Sequence, residues 1–237
     1  MREQDSRTAM LIGDEGVERL RNSRVAVFGV GGVGGYAVEA LARAGVGAID
    51  LIDSDRVSLS NINRQIIATH DTVGEYKCDV ARARILSINP ACSVTVYNVF
   101  FDESVKDSFD FSSYDYVVDA IDSLGAKIEL IATAKAANTP IISAMGAGNK
   151  LDPTRFEVSD ISKTEVCPLA RAVRTSLKKR GIHHLKVVYS KEPPVTPPVV
   201  SDGECRRVPA SISFVPSSMG LIIAGEVIKD LVAKENI

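Results

Sequence analysis

The chain lacks any long hydrophobic run, and its first residues are polar. Its apolar stretches fall well short of the roughly 18 residues that a membrane-spanning helix needs. The start, from Met1 to Ser6, has none of the apolar core of a signal peptide. We therefore expect a cytoplasmic protein that does not associate with a membrane.

Cysteine is scarce and scattered. The four thiols stand at Cys78, Cys92, Cys167 and Cys205, and no two of them form a C-x-x-C pair. This spacing argues against a structural zinc site made of four cysteines. We expect four reduced, buried or incidental thiols, and the sequence leaves open whether Cys167 and Cys205 take part in sulfur or redox exchange.

An excess of either charge is also missing. The chain has 28 Lys and Arg against 30 Asp and Glu, a formal net charge of −2. This balance excludes a globally basic nucleic-acid-binding protein but leaves room for a local basic face. The length of 237 residues and the 45% hydrophobic content fit one large α/β domain.

The strongest signal in the sequence is a glycine-rich stretch. An apolar β-branched run over 24–28 leads into a glycine cluster, and a helical pattern begins near Tyr36. Gly29, Gly31 and Gly34 fit G-x-G-x-x-G, whose glycines allow a tight turn, close approach to phosphate and close contact of helix with sheet. The pattern predicts a nucleotide-binding turn, and the alternative is a glycine-rich turn inside some other parallel sheet.

The next predicted strand, over 48–53, ends in a carboxylate. Asp53 follows Gly34 by 19 residues, which is the position of the ribose-binding acid in such a fold. Asp53 is therefore a candidate ribose ligand, and the alternative is a solvated acid at a strand end.

Strand and helix patterns alternate along the chain. Further strands are predicted over 93–97, 114–120, 139–143, 155–158 and 186–189, and helices over 6–21, 74–88, 168–180 and 218–234, with another ending near 137. This alternation predicts an α/β fold with a Rossmann-like, mostly parallel sheet, helices on both faces and a smaller mixed C-terminal part. We expect a single domain over 1–237, with a nucleotide-binding core at 1–148 and a substrate-side extension at 149–237.

Two later segments have clear sequence signals. Four prolines within 192–198 predict an exposed loop. The last helix is amphipathic, and its predicted apolar side consists of Leu221, Ile222, Ala224, Val227, Ile228 and Leu231.

A cluster of polar residues suited to phosphate follows the glycine turn. Asn61, Arg64 and Gln65 lie in a long connection, Lys77 stands near the next helix, and Asp122 follows the fourth strand. Arg and Lys suit a triphosphate, and a carboxylate at a strand end suits Mg²⁺. Taken singly, Arg64 and Lys77 could be solvated charges and Asp122 a helix cap. A nicotinamide-binding oxidoreductase would share the glycine turn but would leave Arg64, Lys77 and Asp122 without a role.

Together these motifs resemble the adenylating family that includes the ubiquitin-activating enzymes and the MoeB and ThiF sulfur-carrier activators. The resemblance covers 7–148 and rests on the glycine turn, Leu-Ile-Asp53-Ser-Asp55, Ser60-Asn61-Ile-Asn-Arg64-Gln65, Lys77 and Asp119-Ala-Ile-Asp122. It implies that ATP and Mg²⁺ are bound and that Asp122 holds the metal. The nucleotide contacts it implies are Gly29, Gly31, Gly32, Gly34, Asp53, Asp55, Asn61, Arg64, Gln65 and Lys77, and the catalytic residues are Arg7, Arg64, Lys77 and Asp122.

Later segments resemble the tRNA threonylcarbamoyladenosine dehydratase branch of that family. They are Asp152-Pro-Thr154, the run over 160–164, Pro168-Leu-Ala170 and Arg174. The resemblance implies ATP-dependent cyclisation of threonylcarbamoyladenosine in tRNA through adenylation of its threonyl carboxylate. The alternative is adenylation of the C-terminus of a ubiquitin-like sulfur carrier. Cys167 departs from the acidic residue expected there in some members, which leaves the role of its loop open.

The resemblance also implies partners. The densest basic stretch would contact the anticodon arm of tRNA, and its alternative is a solvated helix face; its residues are Arg171, Arg174, Lys178, Lys179, Arg180 and Lys186. Arg7 matches an arginine that reaches the partner's ATP site in the family's homodimers, and the exposed arm that carries it could alternatively be frayed. A sulfur-relay or cysteine desulfurase partner is a further expectation.

Overall fold

One sheet forms the centre of the molecule. The computed structural model describes residues 3–195 and 209–233. Its strands are β1 (Arg24–Phe28), β2 (Ala48–Ile52), β3 (Ser93–Tyr97), β4 (Tyr116–Asp119), β5 (Ile141–Ala144), β6 (Phe156–Asp160) and β7 (Lys186–Ser190). Within these residues they form a seven-stranded sheet in the order β3-β2-β1-β4-β5-β7-β6, parallel except for β6 at the edge. The predicted Rossmann-like, mostly parallel sheet is confirmed.

Helices cover both faces of this sheet. They are α1 (Ser6–Arg21), α2 (Gly34–Ala44), α3 (Lys77–Ile88), α4 (Leu124–Ala136), α5 (Pro168–Lys179) and α6 (Phe214–Ala233). In β1, Val25 and Val27 pack into the core under α2 and α6, while Ala26 and Phe28 pack into the core under α4 and α5. A strand buried on both faces is apolar at every position, which explains the uninterrupted run in the sequence. No helix of the described residues is long and apolar enough to cross a membrane.

The order of the strands places a crevice at the glycine turn. β1 pairs with β2 on one side and with β4 on the other, and the chain winds outward in opposite directions from these two pairs. The connections after β1 and β4 therefore diverge at the carboxyl edge of the sheet, which is where open α/β sheets bind their ligands. The glycine turn follows β1 and Asp122 follows β4, so both lie at this edge.

Helix α6 packs directly on the start of α2. A Cβ at Gly220 would lie 2.3 Å from the carbonyl oxygen of Val33, so only glycine allows this approach. Helix α6 thus contacts the first turn of α2.

Several element bounds and one helix face differ from the sequence-based expectations. α3 begins at Lys77 rather than at 74, because Gly74 adopts a φ of +94°. α6 begins at Phe214 and buries Val215, Met219 and Ile223, whereas Leu221, predicted on the apolar side, is 50% exposed. The predicted proline-rich loop is described only up to residue 195, where its residues form no regular element.

The N-terminal arm is helical but not continuous. Gly13 has φ 74° and ψ 167° inside α1, so the arm bends there. Met10 and Leu11 lie just before the bend and are 83% and 88% exposed. The apolar residues that predicted a packing surface therefore have no cover within the described chain.

Candidate active site

A cavity of about 670 Å³ opens at the carboxyl edge of the sheet, a size suited to a nucleotide and a second small group. The residues predicted for the nucleotide and the metal lie together in its wall: Gly29, Gly31, Gly32, Asp53, Asp55, Asn61, Arg64, Gln65, Lys77 and Asp122. A second wall comes from the C-terminal half: it includes Met145, Gly146, Gly148, Lys150, Cys167, Pro168 and Leu169.

The glycine turn is closely packed where glycine is predicted to matter. Gly29 has a φ of +89°, and a Cβ there would lie 2.7 Å from the carbonyl oxygen of Ala120. A Cβ at Gly34 would lie 1.8 Å from the carbonyl oxygen of Gly29, so Gly34 allows helix α2 to pack on the strand and does not itself line the cavity. Gly31 and Gly32 line the cavity and leave their backbone open to a ligand. The start of α2, where no side chain caps the helix, favours an anion.

Asp53 holds the turn through its carboxylate. Its Oδ2 accepts a hydrogen bond from the backbone N–H of Val30 at 2.7 Å, and its Oδ1 accepts one from Asp55 at 2.8 Å. Burial raises the pKa of Asp53, while Lys77 and these two hydrogen bonds oppose the rise. The predicted ribose ligand therefore positions the backbone of the glycine turn.

Lys77 is not a solvated charge. Its side chain is only 7% exposed, and its Nζ lies 2.6 Å from Oδ2 of Asp55, whose side chain is 65% exposed. Arg64 is half-buried on the same side of the cavity, where its Nη1 donates to the carbonyl oxygen of Ser60 and to Oδ1 of Asn63, both at 2.9 Å. Two cations therefore lie beside the glycine turn.

Asn61 and Gln65 have different roles in this wall. Oδ1 of Asn61 accepts the backbone N–H of Ser58 at 3.1 Å, which holds the connection in shape. Gln65 is 6% exposed, and its Oε1 is buried without a hydrogen-bond partner among the described residues. Because Gln65 lines the cavity, a polar ligand such as ATP could supply the missing hydrogen bond.

Asp122 does not cap α4, because the capping residue of that helix is Ser123. Its carboxylate is exposed and lines the cavity. No group of three or more possible metal-ligating side chains occurs among the described residues. A single carboxylate that faces phosphates still fits Mg²⁺, which commonly takes one or two carboxylates and the phosphates of its substrate.

A buried ion pair beneath the cavity was not predicted. Lys127 and Asp119 are both fully buried, and Nζ of Lys127 lies 2.7 Å from Oδ2 of Asp119. Nζ also donates to the carbonyl oxygen of Ala144 at 3.0 Å, and Oδ1 of Asp119 accepts the N–H of Ile121 at 3.1 Å. The pair thus joins β4, β5 and α4 just below Asp122. A lysine within the apolar pattern of α4 was the only sequence signal for it.

The three cysteines that the structure describes are buried, as expected. Cys78, Cys92 and Cys167 are free thiols, while Cys205 lies outside the described residues. Burial raises the pKa of Cys78, and it raises that of Cys92 to about 11. Such thiols are poor nucleophiles at neutral pH. Cys167 differs because it lines the cavity.

The remaining predicted residues lie away from this cavity. Arg7 is exposed on α1 and is not part of the cavity wall. In the basic stretch, Arg171, Lys178 and Lys179 are exposed. The other three have partners within the chain.

Arg174, Arg180 and Lys186 each have specific partners. Arg174 donates to the carbonyl oxygen and the hydroxyl of Thr164. Arg180 pairs with Glu129 at 2.7 Å. Lys186 pairs with two carboxylates of α6, at 2.7 and 2.9 Å. Carboxylates thus offset the charges of Arg180 and Lys186, whereas Arg174 keeps its charge but uses its donors within the chain.

Comparison with known proteins identifies the family. The model of the ThiF family matches residues 5–237. A tRNA threonylcarbamoyladenosine dehydratase of Bacillus subtilis is 46% identical over 245 residues, covering 98% of this chain and 95% of that protein. The crystal structure of the Escherichia coli tRNA N6-threonylcarbamoyladenosine dehydratase TcdA in complex with ATP has a TM-score of 0.89 at 36% identity, covering 98% of this chain and 95% of that one. The cavity, the glycine turn and these matches together show that the chain belongs to the ThiF family.

Proposed function

We propose that the protein uses ATP to dehydrate threonylcarbamoyladenosine in tRNA, through adenylation of the threonyl carboxylate. The proposal rests on one observation. One cavity is lined by the glycine turn, Asp53, Arg64, Lys77 and Asp122. The dehydratase relatives of Bacillus subtilis and Escherichia coli support it, because each aligns with nearly the whole of this chain. The Escherichia coli relative has been solved with ATP and with AMP.

The first chemical step brings an anion to a polyanion. The threonyl carboxylate attacks the α-phosphorus of ATP, forms an acyl-adenylate and releases pyrophosphate. Because like charges repel, groups that neutralise the phosphates lower the barrier most. Arg64, Lys77 and the backbone amides at Gly31 and Gly32 are the groups of this chain that can do so. Mg²⁺ on Asp122 would neutralise further phosphate charge.

The second step closes a ring. An atom of the ureido group next to the activated carbonyl attacks the carbonyl carbon, AMP leaves with one oxygen of the original carboxylate, and the ureido group loses one proton to solvent. Both reacting groups belong to one nucleoside, so proximity favours closure once water is excluded. Cysteine chemistry is not needed, and we expect Cys167 to be dispensable.

The surface for tRNA is proposed on α5. Pro168 at the start of this helix lines the cavity, and Lys178 and Lys179 stand at its other end, about 15 Å away by helix rise. Arg171 lies one turn from the cavity on the same helix and is exposed. The exposed cations of α5 could therefore bind the phosphates of an anticodon arm whose modified base enters the cavity.

We also propose a homodimer in which Arg7 completes the partner's site. The exposed Met10 and Leu11 beside it supply an apolar surface that the described chain leaves uncovered. Mixing an Arg7→Ala subunit with an Asp122→Ala subunit tests this. If Arg7 acts across the interface, one site of the mixed dimer is intact and activity returns; if it acts within its own subunit, the mixture stays inactive after confirmed subunit exchange.

A single domain is proposed over 1–237, with the core at 1–148 and the extension at 149–237. Two contacts support integration of the extension: β7 pairs with β5, and Gly220 of α6 packs on the start of α2. A chain truncated to residues 1–148 should therefore fail to give a cooperative thermal transition.

Mass analysis of tRNA nucleosides tests the function. After incubation with the protein and ATP, the modified adenosine should lose the mass of one water. An unchanged nucleoside together with ATP–pyrophosphate exchange driven by a sulfur-carrier protein would favour the other adenylation reaction. Relatives named for that reaction cover less of this chain; the Escherichia coli molybdopterin-synthase adenylyltransferase is 38% identical over 62% of it.

A further inference from the structure

Lys150 is buried in the second wall of the cavity. It is 5% exposed and lines both the large cavity and a smaller neighbouring one. Its Nζ donates to the carbonyl oxygen of Glu192 at 2.6 Å. An ammonium group has three donors, and the described residues supply this one with a single hydrogen bond and no ion pair.

The carboxylate of Glu192 makes its hydrogen bonds to the backbone rather than to Lys150. The two carboxylate oxygens of Glu192 accept the backbone N–H groups of Leu151 and Asp152, at 2.9 and 3.0 Å. Glu192 thus fixes the segment that carries Lys150, and its charge favours the ammonium from nearby without a direct ion pair. Within the described residues the lysine is held in place and keeps unused donors.

Lys127, a buried lysine with a structural role, provides a comparison within the same protein. Its Nζ has a carboxylate at 2.7 Å, a carbonyl at 3.0 Å and a hydroxyl at 3.3 Å. Buried charges are normally paired in this way, because an unpaired ammonium is costly to remove from water. Lys150 lacks the carboxylate, so an anion from outside the described chain would complete its surroundings.

Burial lowers the pKa of Lys150, whereas nearby Cys167 and Glu192 raise it and Arg155 lowers it. An anionic ligand would remove part of the cost of burial. Lysines whose pKa is lowered by burial in a cleft are found most often at functional sites.

The position of Lys150 indicates which anion binds. The first wall already holds two cations, Arg64 and Lys77, beside the glycine turn, and these suit the triphosphate. Lys150 follows β5 and shares the second wall with Cys167 and Pro168, the start of the helix that carries the exposed cations. A substrate that approaches along α5 reaches Lys150 from that side.

We propose that Lys150 binds the carboxylate of the tRNA-borne substrate and holds it against the α-phosphate of ATP. This inference rests on the proposed function, since it assigns the residue that receives the group to be adenylated. Lys150 is a binding residue in this account, because its ammonium contacts the reacting carboxylate directly.

The test compares two anticodon stem-loops, one with threonylcarbamoyladenosine and one with plain adenosine. Binding to each is measured with a non-hydrolysable ATP analogue present. The unaltered protein should prefer the modified stem-loop, and Lys150→Met should lose about 10- to 100-fold of that preference, the range expected for a hydrogen bond to a charged group. Lys150→Arg should retain part of it. Lys135→Met, which removes an exposed lysine from α4, should retain all of it.

Further measurements distinguish the possible results of this test. The affinity of Lys150→Met for the ATP analogue alone should stay within about twofold, because its charge does not serve the triphosphate; a large loss would assign Lys150 to the phosphates and overturn the proposal. An unchanged preference in a folded Lys150→Met would overturn it as well. If the Met variant fails to melt cooperatively, Lys150→Arg and Lys150→Gln decide in the same assay. Failure of the unaltered protein to dehydrate modified tRNA would instead contradict the proposed function.

Discussion

The ammonium of Lys77 lies 2.6 Å from the carboxylate of Asp55, at the edge of the cavity where the phosphates of ATP are proposed to bind. The lysine is buried and the aspartate is largely exposed. A phosphate oxygen that reaches Lys77 can take the place of this carboxylate, and Asp55 can then turn to solvent. In the proposed function, the ion pair would satisfy the lysine until the nucleotide binds.

Lys77→Met should lower the rate of dehydration by at least ~100-fold, because it removes a charge contact to the phosphates in a partly dehydrated site. The variant should fold, since the orphaned Asp55 is 65% exposed on its side chain and regains water. Steady-state kinetics and a thermal melt measure the two effects, with Lys135→Met as control. A variant with near-normal turnover would show that Lys77 does not serve the phosphates.

Asp122→Ala should lose magnesium-dependent turnover and keep its melting temperature. The carboxylate is exposed and does not cap α4, so its removal leaves no helix end unsatisfied. A titration of turnover with Mg²⁺ measures the loss. Near-normal activity at low Mg²⁺ would contradict the metal assignment.

Gly31→Ala and Gly34→Ala should fail in different ways. At Gly31 the nearest atom to a new Cβ is Nε2 of Gln65 at 3.9 Å, so the variant should fold but lose at least roughly tenfold in affinity for ATP, because the methyl group blocks close approach of phosphate. At Gly34 the new Cβ would lie 1.8 Å from a backbone oxygen, so the fold itself should be destabilised. Calorimetric ATP binding and thermal melts separate the two, and equal melting temperatures would refute the packing role of Gly34.

The stability of the folded protein should depend on pH through Glu39. It is buried, which raises its pKa, but hydrogen bonds from Arg84 and Arg43 outweigh burial and hold the pKa below the ordinary value of 4.5. A carboxyl whose folded pKa is lowered stabilises the protein above its unfolded pKa, and this contribution is lost as the pH falls through the folded pKa. Glu39→Gln should therefore be less stable at neutral pH, and the difference from the parent should shrink below pH 4.5. A constant difference in denaturant melts across that range would contradict this account.

The local signals in the sequence predicted most of the nucleotide wall. β1, the glycine turn and Asp53 follow one another within a short stretch, and their roles depend on backbone conformation that glycine and β-branched residues determine locally. Asp122 could be placed near them because parallel strands end at the same edge of a sheet, whereas Lys77 was assigned to the phosphates through its residue type and the family resemblance.

Roles that depend on distant contacts could not be predicted in this way. Lys150 owes its position to Glu192, which is 42 residues away in sequence. Lys186 looked like part of a basic surface, but the acids of α6 neutralise it. Leu221 fits the apolar side that the sequence predicts for α6. The side of α6 that is actually buried depends on the close approach of Gly220 to α2, and this leaves Leu221 exposed.

The central claim is that the threonyl carboxylate is adenylated, and oxygen labelling tests it most directly. Modified tRNA carrying ¹⁸O in both carboxylate oxygens is incubated with the protein and unlabelled ATP, and the nucleotide products are analysed by mass. We predict AMP that carries one ¹⁸O, because the acyl-adenylate breaks between the carbonyl carbon and the transferred oxygen. Unlabelled AMP, or ADP with ¹⁸O in inorganic phosphate, would contradict it.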